Sequence, residues 1–308
     1  MQHSQNEQTR LAGLKPVLEL RAKMLSAARN FFREQDYLEA ETPVLVRTPA
    51  LELHIDAFPV SNHYLRTSPE LHMKRLLCAG YKRIFQIGPC FRSGEQGNLH
   101  NPEFTMLEWY RADADYMDIL AETKDLLKHL AKTCLGRLTI ERNGKSLDLG
   151  AEWQLFSVPE LFEKFAGWNP VITFDERRFD EDMVNCIEPN LPVDRPVVLL
   201  DYPAQVAALA RLKTDDCRLA ERWELYLGGV ELANAFSELT DANEQRKRFE
   251  ECARKRRAMG KPVYELDSDF LAALEKGLPP SAGVALGLDR LVMLFAGVES
   301  LDDVLPFR

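Results

Sequence analysis

Residues 91–111 read FRSGEQGNLHNPEFTMLEWYR. An apolar run ends at Arg92, a polar glycine-bearing loop covers residues 93–103, and strict alternation begins at Phe104. A strand over 104–111 places Phe104, Met106, Glu108 and Tyr110 on one face, because side chains on a strand repeat with period two. That face carries a flat ring, a carboxylate and a phenol, with an arginine and a flexible loop at its upstream end. Such a surface can stack a planar base, grip a phosphate and hold an ammonium group. The same alternation also suits an edge hairpin whose polar face meets water.

Two other stretches carry chemistry. In GVELANAFSEL (229–239), a strand puts Asn234, Phe236 and Glu238 on one face, and Glu231 lies seven residues before Glu238. Carboxylates and a carboxamide beside a phosphate site suit magnesium, a hard cation that borrows oxygens from a nucleotide. In SAGVALGLDRLVMLFAGV (281–298), a glycine-punctuated strand leads into a helix near Leu288, with Arg290 in its first turn. Upstream, Ser68-Pro69-Glu70 reads as a helix start running to Ala79 and stopping at Gly80. Glu70 then complements the positive end of that helix.

Together these stretches resemble the class II aminoacyl-tRNA synthetases in their lysyl form. FRSGEQGNLHNPEFTMLEWY is similar to the second family motif, Gly283 to Arg290 to the third, and the helix from Lys15 followed by the Pro43-bearing segment to the first, which builds the family's homodimer interface. The resemblance implies an α+β fold with an antiparallel sheet flanked by helices, and covers about Lys15 to the C-terminus. It implies ATP as substrate with Mg2+, Arg92 and Arg290 as the catalytic phosphate contacts, and a nucleotide site of Arg92, Ser93, Gly94, His100, Asn101, Phe104, Glu231, Leu232, Gly287 and Arg290. For the amino acid it implies Ser68, Pro69, Glu70, Glu108, Tyr110, Asn234, Phe236, Glu238 and Ala285. Glu70 and Glu108 then take the amino group near the carboxyl end, Glu238 and Tyr110 the ε-ammonium, and Glu231 with Glu238 the metal.

Two positions depart from the lysyl pattern: Ala285 stands for the usual glycine, and Ser68 for a common alanine. The family's N-terminal anticodon-binding barrel has no room before Lys15, since such a barrel needs some 100 residues. Residues 1–14 are expected as a loose polar segment and 15–308 as the catalytic domain. The reduced form resembles the free-standing paralogue that lysylates elongation factor P, which implies (R)-β-lysine or lysine as substrate, elongation factor P as acceptor, and no tRNA. A minimal lysyl-tRNA synthetase and a non-catalytic amino-acid-binding relic are the alternatives, the latter disfavoured because both arginines and both carboxylates are present.

Composition sets the outer limits. The chain has 308 residues, 45% hydrophobic and 28% charged, with a net charge of -9. That balance is ordinary for a globular protein and gives no global pull towards nucleic acid. The six cysteines show no C-x-x-C and are expected as reduced thiols of a cytoplasmic protein. No apolar run is long enough to cross a bilayer. Asn143-Gly144 between alternating segments signals a hairpin, the region 157–190 shows no recognisable chemistry, and the basic helix over 241–259 reads as a solvated face.

Overall fold

The apolar spacing expected from Lys15 onward forms a helix that packs against the central sheet. In the computed structural model, which describes residues 2–142 and 144–307, this helix is α2 (Lys15–Glu34), preceded by α1 (Gln2–Gly13). The segment expected to be loose is therefore helical, because Arg10 donates to the carbonyls of Leu305 and Pro306 at the other end of the chain. Helix α2 buries Met24, Ala27, Ala28, Phe31 and Phe32, a stripe at three- and four-residue spacing. Around Pro43 the expected irregular strand resolves into two fragments, β1 (Leu38–Glu39) and β2 (Leu45–Val46). Strand β2 joins β3 (Pro59–Val60) and β4 (His63–Leu65) in a small antiparallel sheet.

Helix α3 (Glu70–Cys78) follows, then β5 (Arg83–Phe91) and β6 (Glu103–Ala112), an antiparallel pair joined by the polar loop. Helix α4 (Tyr116–Leu135) opens on an Asp115 capping box and closes at Gly136 in the left-handed conformation. Strands β7 (Thr139–Arg142) and β8 (Lys145–Asp148) pair with Arg142 opposite Lys145, as a two-residue hairpin requires; Asn143 lies outside the described residues. Next come β9 (Gln154–Ser157), α5 (Val158–Phe165), α6 (Glu176–Asp182), β10 (Val197–Pro203), β11 (Leu219–Leu227) and β12 (Val230–Ser237). The chain closes with α7 (Ala242–Ala258), α8 (Ser268–Lys276), β13 (Ser281–Gly287) and α9 (Leu288–Ala296).

Eight strands form one sheet in the order β1-β5-β6-β13-β12-β11-β10-β9. Every central pair is antiparallel, and only the two edge strands pair in parallel. One face is apolar: Leu107, Trp109, Trp223, Ala235, Val284 and Leu286 pack with α2, α4 and α9. The alternate residues of the same strands therefore face the other way, towards α3, α7 and α8, and that face carries the polar side chains.

Helix α7 is less solvated than its composition predicts. Arg256 is fully buried and donates to the carbonyls of Glu52, Ile55 and Pro262 and to Asp56, while Arg248 donates to Ala208 and Ala210. Basic residues that satisfy loop carbonyls are invisible to a helical pattern, because their acceptors lie far away in sequence.

Candidate active site

Sheet register assembles the site. Across the polar face one row reads Glu224, Asn234, Ala285, Glu108 and Gln86, and the next reads Arg222, Phe236, Gly283, Tyr110 and Ile84. The small residues Ala285 and Gly283 sit in the middle of the rows, which hollows the floor. A Cβ at Gly283 would strike the Tyr110 ring and come within 2.7 Å of Glu238 Oε1. Glycine is thus required by close packing here rather than by backbone conformation.

Buried carboxylates ring this hollow. The Tyr110 hydroxyl donates to Glu108 Oε1, and the Ser68 hydroxyl donates to Glu108 Oε2 at 2.9 Å. Ser68 Oγ also accepts from the Glu70 N–H at 2.9 Å, while Pro69, one residue later than expected, is the N-cap of α3. Lys74 Nζ then lies 2.5 Å from Glu70 and 2.5 Å from Glu238, over the Phe236 ring. Lys74 was not expected here; a Glu and Lys four apart on a helix ordinarily form a surface pair.

Burial, then the charge of Glu70, pushes the Glu108 carboxyl up to about 8. Burial likewise raises Glu238 to about 8, against the pull of Lys74. Burial alone would lower the Lys74 ammonium, but Glu238 and Glu70 reverse that and raise it. Apart from Lys74, neither Glu238 oxygen has a hydrogen-bond partner among the described residues, although the side chain is wholly buried. A buried acceptor without a donor is costly; an ammonium group entering the hollow supplies one. Tyr110 bonds to Glu108 rather than Glu238, so the phenol orients the carboxylate near α3.

The phosphate side lies at the other end of these strands. The Arg92 guanidinium lies 5.1 Å over the Phe104 ring, 3.8 Å from Glu95, and its buried Nε has no acceptor among the described residues. Ser93 N–H already donates to the Asp56 carbonyl, and Gly94 has a positive φ that suits glycine. Arg290 donates to the carbonyls of Leu99 and Glu231 and meets His100 Nε2 at 2.7 Å. Burial and then Arg290 lower the His100 pKa, so its ring stays neutral against the guanidinium. The Asn101 amide donates to the Glu103 carbonyl. Asp289, next to Arg290, accepts from Arg21 on α2 and from the Thr105 N–H, pinning the start of α9 to the start of β6. Gly287 leaves room for the Arg290 stem, whereas Leu232 turns its side chain into the core and has only its backbone to offer a nucleotide.

The expected metal pair is not brought together. Glu231 is near the start of β12 and Glu238 just past its end; at roughly 3.3 Å per residue they stand about 20 Å apart. The carboxylate that the fold brings to Glu231 is Glu224. A bulge in β12, where Leu232 is the extra residue between the Leu225–Ala233 and Tyr226–Glu231 pairs, shifts the register, so Glu231 shares a face with Asn234 despite the odd spacing. Burial and then the Glu224 charge push Glu231 up to about 7. Two mutually repelling carboxylates beside Arg290 fit a hard cation. Among the described residues no three ligands converge. Around this pair, Arg222 donates to Asn234 and Glu224, and the Tyr226 hydroxyl lies 3.1 Å from Glu224 and 3.2 Å from Glu188. Glu188 comes from the region where the sequence shows no chemistry.

Comparison with known proteins follows the same lines. A family model described as "tRNA synthetases class II (D, K and N)" matches residues 6–308. A protein from Proteus mirabilis named "Elongation factor P--(R)-beta-lysine ligase" is 41% identical over 93% of both chains. Proteins of the same name from Hamiltonella defensa and Histophilus somni are 40% and 39% identical, over 93% and 99% of this chain and 93% and 98% of their own. The sheet order, the arginine placement and these matches agree: the chain belongs to the class II tRNA synthetase family of the D, K and N type.

Proposed function

We propose that this protein activates lysine or (R)-β-lysine with ATP and transfers it to a lysine side chain of elongation factor P. The observation that carries the reading is the buried acidic hollow on the same sheet face as Arg92 and Arg290. A substrate with two ammonium groups and one carboxylate matches it: the ammonium groups face Glu70, Glu108 and Glu238, and the carboxylate is left towards Arg92. The acceptor is taken from the names of the relatives.

In the first step a substrate carboxylate oxygen attacks the α-phosphorus of ATP, the bond to the β-phosphate oxygen breaks, and pyrophosphate leaves. The nucleophile is already ionised, so alignment and charge neutralisation carry the catalysis. Arg92 neutralises the α-phosphate, Arg290 the outer phosphates, and Phe104 supports the adenine. Glu231 with Glu224 would hold magnesium, which would supply further neutralisation of the phosphates. In the second step the acceptor ε-amine, having lost its proton, attacks the acyl carbon, the bond to the phosphate oxygen breaks, and AMP leaves. The protein works as a homodimer through the α2 and β1 region, where Leu38 and Leu45 are exposed.

The test offers elongation factor P and lysine tRNA in competition, with ATP, magnesium and labelled lysine or (R)-β-lysine. Label on the protein is expected. Label on the tRNA makes the protein a minimal synthetase instead, and label on neither with intact pyrophosphate exchange points to another acceptor.

A further inference from the structure

Lys74 has no part in the chemistry above, yet it is 1% exposed and touches two of the three carboxylates proposed to face the substrate ammonium groups. It sits one helical turn after Glu70, so its stem runs down the same face of α3 and its ammonium reaches β12 beyond Phe236. Its nitrogen is 2.5 Å from Glu70 Oε1 and 2.5 Å from Glu238 Oε2, so those oxygens lie within twice that distance of one another. Glu70 comes from a helix and Glu238 from the end of a strand. Without the bridge, two buried like charges would repel, and only backbone would hold them in place.

We infer that Lys74 is a specificity-determining positioning residue: a built-in ammonium that sets the separation of Glu70 and Glu238 and leaves the hollow with a charge deficit that only a diamino acid fills. Three carboxylates, Glu70, Glu108 and Glu238, are buried against the one ammonium of Lys74. Burial keeps carboxyls beyond that one pairing protonated near neutral pH, and a substrate with two ammonium groups lets two of them ionise and pair. A monoamino acid of the same length leaves one buried carboxyl without a charge partner and forgoes that pairing. The fixed separation serves as a ruler for the spacing of the two ammonium groups. The inference rests on the amino-acid-activating reading of the site.

Pyrophosphate exchange on the full-length protein tests it, with L-lysine, (R)-β-lysine and ornithine, which is one methylene shorter than lysine. Wild-type protein must first exchange with lysine or (R)-β-lysine; failure there overturns the functional reading and not the role of Lys74. Given that exchange, Lys74→Met is expected to raise the amino-acid KM at least about thirtyfold, since it strands two buried carboxylates, while the ATP KM moves less than about threefold. A residue serving only the fold would lower stability and shift both constants together. If Lys74→Met does not fold, Lys74→Arg decides. It keeps the charge but replaces a compact ammonium with a planar fork, and is expected to cut the preference for lysine over ornithine by about tenfold, the scale of one methylene. A folded Lys74→Met with an unchanged amino-acid KM, or a Lys74→Arg with unchanged discrimination, overturns the inference.

Discussion

Glu108 shows what burial does to a single carboxyl of the candidate site. Its ordinary value of 4.5 rises to about 8 because burial, then Glu70, disfavours the charge. Between those values the folded protein holds a proton that the unfolded chain has released. This contribution to stability is complete below about 4.5 and is lost as pH rises through about 8. Thermal unfolding of the substrate-free protein from pH 5 to 8.5 is therefore expected to show a falling midpoint, with a shallower fall in Glu108→Gln; parallel slopes for the two proteins would contradict the assignment. Glu108, Glu70 and Glu238 were legible because they sit in motifs at readable spacing. Lys74, Arg222 and Glu224 were not, since a lysine one turn from a glutamate, or an arginine in an alternating strand, looks the same whether it faces solvent or a buried carboxylate.

At the scale of elements, the site depends on strand register and on where small residues fall. Strand β13 passes between β6 and β12 with Gly283 beneath Tyr110 and Phe236. Gly283→Ala is expected to cost about 1–3 kcal/mol through overpacking and to raise the amino-acid KM, because the Tyr110 ring must move and takes its bond to Glu108 with it. Chemical denaturation and amino-acid-dependent exchange check the two effects, and an unchanged KM would show that the ring relaxes elsewhere. The helices α2, α3, α7 and α9 and the strands β6, β12 and β13 were readable from period and caps. The bulge in β12 was not. A bulge is set by what two strands must bury together, and it moves Glu231 onto the face of Asn234 and beside Glu224. Strict alternation cannot anticipate that, which is why the sequence set Glu231 with Glu238 and not with Glu224.

For the whole molecule, the helices on one face of the sheet bury its apolar side, and the exposed Leu38 and Leu45 remain at the edge formed by β1 and β2. If that edge is the dimer contact, sedimentation at micromolar concentration should give twice the 35.2 kDa chain mass, and Leu38→Asp with Leu45→Asp should give single chains; a monomeric wild type would refute the dimer. No helix among the described residues is long and apolar enough to cross a membrane. By itself the sequence determined the helices and strands that carry the three motifs, because periodicity, capping and turn chemistry act between residues close along the chain; the α+β architecture followed from the resemblance those motifs carry. Only the tertiary structure decided which carboxylates meet. The Lys74 bridge, the Glu224 and Glu231 pair and the Arg256 anchor each join segments that register and packing bring together, and the energy of a buried charge depends on those neighbours rather than on its place in the sequence.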